Sequence, residues 1–294
     1  MPNCGVIRQV AFCRTRNNTM EFKYFSRNGK LTPIVEATVP LANIEYAYGF
    51  GVYESIRVSN GVVYFLDEHI ERLLKSARII DLAHTFSPAL IAKSIGELVG
   101  ETKVESFNLK ILLIGGKTKE EASLNILCLN PLFPDKKIHR DGVSTIVYEY
   151  ERPFPHAKTL NMLQSYLAYR KAKEAGAHDA LLLDREGRIL EGTRTNFFCI
   201  KDKNLYTPDE NNILLGVTRK AVLKVASQNG YQVVQKDIRP TDLRQYDGAF
   251  LTGTSIKILP IRSVAAFQFG EQPIALRELM KLFDEFSATC GGKL

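Results

Sequence analysis

At 294 residues the chain is long enough for one large or two ordinary domains, each with its own core. A composition of 45% hydrophobic and 24% charged residues, without any low-complexity tract, is that of a globular protein and excludes a disordered or fibrous one. The formal charge of +7 comes without a Lys/Arg block interleaved with aromatics, which argues against nucleic acid and suits small anionic ligands instead.

In chain order, the N-terminal MPNCGVIRQVAFCRTRNN lacks the continuous apolar core of a signal peptide. Short strands are expected at residues 21–25, 52–58 and 62–65, with turns at Arg27-Asn28-Gly29-Lys30 and Asn60-Gly61. Asn-Gly between apolar alternations is a hairpin signal, because the turn needs positive φ at both central residues. Asp67 reads as the N-cap of a helix running to about residue 82, with Ile70, Leu73, Leu74, Ala77 and Ile80 as its apolar stripe. A second helix is expected at 88–99, then strands at 109–114, ending in Gly115-Gly116, and at 125–129. Pro131-Leu-Phe-Pro134-Asp-Lys-Lys is the best linker, which divides the chain into residues 1–130, a connection at 131–142 and residues 143–294. The second part alternates: strand 143–148, helix 161–175, strand 180–183, a turn through Arg185-Glu186-Gly187 and strand 196–200. Helix 218–228, closed by Asn229-Gly230, strands 231–234, 249–252 and 256–259, and a helix at 275–286 follow. The pattern is mixed α/β in two domains, without the strict alternation of a doubly wound parallel sheet.

The five cysteines are scattered and lack a CxxC, which argues against a disulfide framework or a zinc site and fits a reducing compartment. No segment approaches ~18 uninterrupted apolar residues, so a cytoplasmic protein is expected. His69, His84, His139, His156 and His178 show no metal spacing, and no metal is expected.

The chemistry concentrates in the second half. Lys158-Thr-Leu-Asn-Met-Leu is followed, 33 residues after its lysine, by Glu191-Gly-Thr-Arg-Thr-Asn196-Phe-Phe. A lysine amine to hold an aldehyde and a carboxylate to keep a ring nitrogen protonated are what a pyridoxal phosphate enzyme needs. Gly216-Val217-Thr218-Arg219 places a small residue and a hydroxyl where a helix begins, so free N–H groups and the helix dipole make an anion site. Thr252-Gly253-Thr254-Ser255 offers three hydroxyls at a strand end as a second phosphate contact. There is no GxGxxG or GxxxxGK[ST].

These motifs, in this order, resemble the class IV aminotransferases, the fold-type IV pyridoxal phosphate enzymes, which include branched-chain and D-amino acid aminotransferases and aminodeoxychorismate lyases. Gly49-Phe-Gly-Val-Tyr53-Glu54-Ser-Ile-Arg57 and Glu68-His-Ile-Glu-Arg72-Leu extend the resemblance to the first half, so that it covers roughly residues 30–262. It implies a small N-terminal α/β domain, a larger C-terminal domain with the cofactor site between them, and a homodimer. It also implies that Lys158 holds pyridoxal 5′-phosphate and shuttles the proton, and that Glu191 pairs with the pyridine nitrogen. Arg72, Gly216, the N–H groups of Val217 and Thr218, and Thr254 would hold the phosphate. Periodicity alone turns Arg72 away from the apolar stripe and toward solvent; the resemblance turns it into an interdomain cleft.

Substrate choice follows from how the carboxylate is gripped. Gly49-Phe50-Gly51 stands where relatives have Gly-Asp-Gly, and Ile114-Gly115-Gly116-Lys117 lacks the Arg and His that well-studied D-amino acid enzymes carry there. Met162 replaces the tyrosine usual in branched-chain enzymes. The remaining cations are Arg57, Arg194 and Lys117; Arg194 is similar to an arginine that grips a carboxylate in a divergent group of D-amino acid transaminases. Tyr48 and Tyr53 are expected pocket walls, and Ser255 joins Arg57 and Arg194 as a substrate contact. The expectation is a ping-pong transaminase acting on amino acids and 2-keto acids, with D-amino acid donors slightly favoured over branched-chain L-amino acids. A pyruvate-releasing lyase and a non-catalytic cofactor-binding protein stand as alternatives.

Overall fold

The computed structural model describes residues 22–131 and 133–293. Cys4, Cys13, Glu21 of the first expected strand and Leu132 of the expected linker lie outside the described residues.

Two hairpins begin the small domain. β1 (Tyr24–Arg27) returns as β2 (Lys30–Pro33) through Asn28 and Gly29; β3 (Gly51–Ser59) returns as β4 (Val62–Tyr64) through Asn60 and Gly61. All four turn residues have positive φ, as a two-residue hairpin turn requires. Between the hairpins lies the single turn α1 (Ile44–Ala47). After β4 come α2 (Leu66–Ile79), α3 (Pro88–Gly100), β5 (Ser106–Ile114) and β6 (Ser123–Leu129). Asp67 is not the N-cap of α2. Phe65, in the left-handed conformation at φ 54°, turns β4 directly into the helix, and Asp67 lies in its first turn, where a carboxylate favours the helix dipole.

The strands form an antiparallel sheet in the order β16–β4–β3–β5–β6–β1–β2, where β16 (Gly291–Lys293) is the returning end of the chain. Side chains alternate across a strand, so one face is apolar. Val52, Ile56, Leu109, Ile111 and Leu113 pack there against Ile70, Leu73 and Ala77 of α2 and Ile91, Ile95 and Leu98 of α3. The opposite face carries Tyr53, Ser55 and Arg57 beside Leu112, Lys110 and Asn108 in register. This second face meets the large domain.

The large domain begins with α4 (Lys136–Asp141), a helix inside the segment expected to be linker. Asp135 caps it by accepting from the Ile138 N–H at 2.8 Å, and Ile138 packs on the domain core. Then follow β7 (Val143–Glu149), α5 (Leu163–Glu174), β8 (Asp179–Leu183), β9 (Ile189–Gly192), β10 (Asn196–Lys201) and β11 (Asn204–Thr207). The remainder is α6 (Val217–Gln228), β12 (Gln232–Gln235), β13 (Gly248–Gly253), β14 (Lys257–Val264), β15 (Phe267–Gln268) and α7 (Ile274–Thr289). Because β9 also pairs with β10, the path β10–β13–β14–β7–β8–β9 closes into a ring. β7 runs parallel to β8 and β14, whereas β10 and β13 are antiparallel neighbours. The fold is thus mixed α/β. Phe198, Phe250, Val222, Val225 and Phe283 join α6 and α7 to the ring. Ala168 and Ala172 seat α5 on Ala180 and Leu182.

Among the described residues, Cys128, Cys199 and Cys290 are free thiols. No helix among them is long and apolar enough to cross a membrane.

Candidate active site

Lys158 lies where the two domains meet. The segment around it runs along the start of β3: the Tyr53 N–H donates to the Lys158 carbonyl at 2.9 Å, and the Leu160 N–H to the Gly51 carbonyl at 2.8 Å. From the other side the Lys158 N–H donates to Ser76 Oγ of α2 at 3.1 Å. The backbone of the lysine is therefore fixed by a strand and a helix of the small domain, and its ammonium lies 4.6 Å from the centre of the Tyr53 ring. Burial, reinforced by the charge of Arg72, pushes the amine down to about 7. Such an amine is half neutral at neutral pH, which is the state needed to attack a carbonyl or take a proton.

Arg72 is built into the cleft by a carboxylate that its own helix does not supply. Glu54 of β3 receives Arg72 Nε on Oε1 at 2.6 Å and Arg72 Nη2 on Oε2 at 2.8 Å, a two-pronged pair, while His69 Nδ1 lies 2.8 Å from Oε2. Burial works to raise the Glu54 carboxyl, and the charges of Arg72 and His69 outweigh it, holding the group below the usual carboxylate range. Burial holds His69 below its ordinary value. Arg72 also donates from Nη1 to the Leu215 carbonyl at 3.4 Å, across the domain boundary. The solvent-facing orientation read from periodicity is therefore corrected. His69, Arg72 and Ser76, three and four residues apart, form a polar line on α2 that faces the large domain beside the apolar stripe.

Glu191, at the end of β9, is buried and held from three sides. Its Oε2 accepts from the Leu214 N–H at 3.2 Å and from Asn196 Nδ2 at 3.4 Å, and its Oε1 pairs with Arg152 Nε at 2.7 Å. Burial raises its carboxyl against the pull of Arg152. Arg152, which also donates to the Thr193 carbonyl at 2.9 Å, escaped the sequence reading: nothing periodic marks an arginine in an irregular segment. Glu54 escaped as well, although it stands inside a quoted motif.

The other end of the pocket offers hydrogen-bond donors of the kind an anion needs. Gly216 is the N-cap of α6 and offers no side-chain acceptor, so the first amides of the helix point into the cleft unsatisfied. A Cβ at Gly216 would collide with Asn196 Oδ1, the other end of the amide that holds the Leu214 carbonyl at 2.7 Å. Thr252 Oγ1, buried and lining the same pocket, has no hydrogen-bond partner among the described residues. Orphaned donors at a helix N-terminus, a neutral-leaning lysine and a buried carboxylate at the far side fit a phosphorylated aldehyde with a ring nitrogen. Among the described residues, no group of three or more His, Cys, Asp or Glu is arranged to hold a metal ion.

One pocket brings together Arg72, Lys158, Glu191, Arg194, Gly216, Val217, Thr218 and Thr254. Tyr53 is buried against Lys158, its hydroxyl 3.6 Å from Met162 Sδ. Arg194 is exposed at the mouth, its guanidinium carbon 4.5 Å from the centre of the Tyr169 ring. The turn that carries it is fixed by buried Asp179, which accepts from Thr193 Oγ1 at 2.5 Å and Thr195 Oγ1 at 3.1 Å. Arg57, Ser255 and Tyr48 do not line this pocket. Arg57 donates to the Ser255 carbonyl at 3.3 Å and lies 3.7 Å from the centre of the Phe133 ring; Asn108 Nδ2 donates to Ser255 Oγ at 3.1 Å. Together they latch the loop carrying Thr254 to the small-domain sheet. Tyr48 is 78% exposed.

Comparison with known proteins agrees with this geometry. The family model for amino-transferase class IV matches residues 51–264, and the chain belongs to that family. It is 34% identical over 252 residues to a D-alanine aminotransferase of Bacillus licheniformis, covering 83% of this chain and 89% of that protein. It is 31% identical over 271 residues to a putative branched-chain-amino-acid aminotransferase of Methanocaldococcus jannaschii, covering 86% of this chain and 94% of the relative. Among solved structures, the branched-chain aminotransferase of Thermoproteus uzoniensis with norvaline superposes with a TM-score of 0.82 at 27% identity, covering 92% of this chain and 95% of that one. The branched-chain amino acid aminotransferase of Thermobaculum terrenum, in its PLP-bound holo form, gives a TM-score of 0.80 at 26% identity, covering 91% of this chain and 94% of that one. The protein is a pyridoxal phosphate-dependent aminotransferase of class IV.

Proposed function

We propose that the protein moves the amino group of a D-amino acid to a 2-keto acid, with Lys158 as the proton-carrying amine and Arg194 as the grip on the substrate α-carboxylate. Bound pyridoxal phosphate supplies an electron sink that acidifies the substrate α-carbon. Arg72, Thr218, Thr254 and the amides of Val217 and Thr218 would hold its phosphate beside Gly216, and Glu191 would face its ring nitrogen. Lys158 Nζ, half neutral near pH 7 because it is buried beside Arg72, takes the α-proton and returns it. Tyr53 backs that amine and keeps water from one side.

The observation that carries the reading is the pairing of this amine with a guanidinium at the mouth of the same pocket that has no carboxylate partner among the described residues. The D-series is favoured by Arg194 and by the identity to a D-alanine aminotransferase. A branched-chain L-donor is the second reading, supported by the similarity to branched-chain aminotransferases in sequence and structure. The visible band of the holoenzyme, recorded with D-alanine, D-glutamate, L-leucine and L-glutamate separately, decides. Loss of the band with the D-series alone is expected; loss with L-leucine alone refutes the D assignment.

A homodimer belongs to the same proposal. Leu41, Val35, Ile44, Tyr46 and Tyr48 leave a band of apolar surface exposed along 35–48, next to the cleft-forming β3. Light scattering that returns the mass of one chain refutes it.

A further inference from the structure

Arg194 meets an aromatic face at the mouth of the cleft. Its Cζ lies over the Tyr169 ring, 4.5 Å from the centre, and among the described residues its guanidinium forms no ion pair. The surroundings are cationic. Lys173 Nζ lies 5.0 Å from the centre of the same ring, and the charge of Arg194 acts on Lys110 and on His178. Burial, together with the charges of Lys173 and Arg194, holds His178 below its ordinary value. The carboxylate beside them, Asp179, is buried and committed to Thr193 and Thr195. An exposed arginine among like charges is pushed toward open solvent, and its long side chain has the rotamer freedom to go there. Tyr169 opposes that motion. A ring attracts a guanidinium through the flat face of each, which leaves the N–H edge free for a carboxylate. The ring itself sits on a fixed element: Ala168 and Ala172, which flank it in α5, are buried against Ala180 and Leu182 of β8. β8 begins with Asp179, which also accepts from the Thr193 N–H at 3.3 Å. The α5–β8 unit thus holds both the backbone of the turn and the guanidinium that the turn carries.

We propose that Tyr169 is the positioning residue for the substrate grip: its ring keeps the Arg194 guanidinium at the cleft mouth, with the N–H edge free for the α-carboxylate. This deepens the reading of Arg194 as that grip and rests on it. Tyr169 acts through Arg194, so its loss weakens binding of the carboxylate and leaves proton transfer at Lys158 alone. A cation on an aromatic face at an exposed site corresponds to about a two- to fivefold change in affinity. Among the described residues the Tyr169 hydroxyl has no hydrogen-bond partner, so the ring carries the effect and phenylalanine serves in its place.

The test follows the rate at which the visible band of the holoenzyme is lost as D-alanine is varied, or L-leucine where that is the donor. In Tyr169→Leu the half-saturating concentration rises about two- to fivefold while the limiting rate holds, and Tyr169→Phe restores the original value. In an Arg194→Leu background the same Tyr169→Leu change adds nothing, because the group it positions is gone. A rise that persists undiminished in that background, a loss confined to the limiting rate, no rise at all, or a Phe variant that behaves like Leu overturns the proposal. If Tyr169→Leu does not fold, Tyr169→Gln removes the ring with another good helix former and is read against the same outcomes. Arg194→Leu alone, if it binds the donor as tightly as the unsubstituted enzyme, sinks the reading of Arg194 itself, which separates that failure from a failure of Tyr169.

Discussion

Replacing Glu54 with Gln probes the pair that aims Arg72 into the cleft. The carboxylate is buried and its guanidinium partner 12% exposed, with contacts of 2.6 and 2.8 Å, so water screens little of the attraction. At an effective permittivity of about 20, unit charges at such a separation attract by roughly 6 kcal/mol, most of which offsets the cost of desolvating them. Removing one partner leaves the other charge buried and unanswered, which typically costs about 3–5 kcal/mol. Gln keeps an acceptor for one donor, so about 3 kcal/mol is expected, or a drop in Tm of roughly 6–12 °C. Melting the cofactor-free proteins keeps ligand linkage out of the comparison. Because the folded carboxyl is held below its ordinary value, its contribution is present above the unfolded carboxylate range and is lost as pH falls below it. The advantage of the unsubstituted protein over Glu54→Gln therefore shrinks on acidification below pH ~4. A Tm shift under about 2 °C, or an advantage that grows in acid, refutes the reasoning.

Two further outcomes follow from the same geometry. In the cofactor-free protein, Lys158 reacts with an amine-selective acylating reagent with a half-rise near pH 7, because its neutral fraction grows as pH passes the lowered value; peptide mapping that finds it reacting like an exposed lysine contradicts this. Gly216→Ala drives a Cβ into Asn196 Oδ1, which costs about 1–3 kcal/mol and weakens pyridoxal phosphate binding at least tenfold by equilibrium dialysis; unaltered binding would show that the helix entrance has room.

The sequence carried the hairpins, the helices and the order of the site motifs because each has a local cause. Asn28-Gly29 and Asn60-Gly61 are turns by their own φ preference, and the stripe of α2 is an apolar repeat. What stayed hidden has no local cause. β9 is four residues long and ends in Glu191-Gly192, where no alternation has room to show. Arg152 takes its role from Glu191, which is 39 positions away in the chain and comes near only when the ring closes. Arg72 misled a period-based reading because α2 buries two faces, and the polar one follows the cleft rather than the core. Arg57 and Ser255 were expected on the substrate; Arg57 instead donates to the Ser255 carbonyl and lies over Phe133, and neither lines the pocket around Lys158. A list of cations in the sequence does not tell a latch from a grip. Lys110 was legible in principle: with Ser106 and Asn108 it lies out of phase with the apolar Phe107, Leu109, Ile111 and Leu113.

The central claim is that Lys158, among the many lysines of this chain, is the amine that carries the cofactor. Borohydride reduction of the pyridoxal phosphate-loaded protein, followed by peptide mass mapping, tests it most directly. The account predicts the phosphopyridoxyl mark on Lys158 alone. A mark on Lys110 or on another lysine, with Lys158 unmodified, would contradict it.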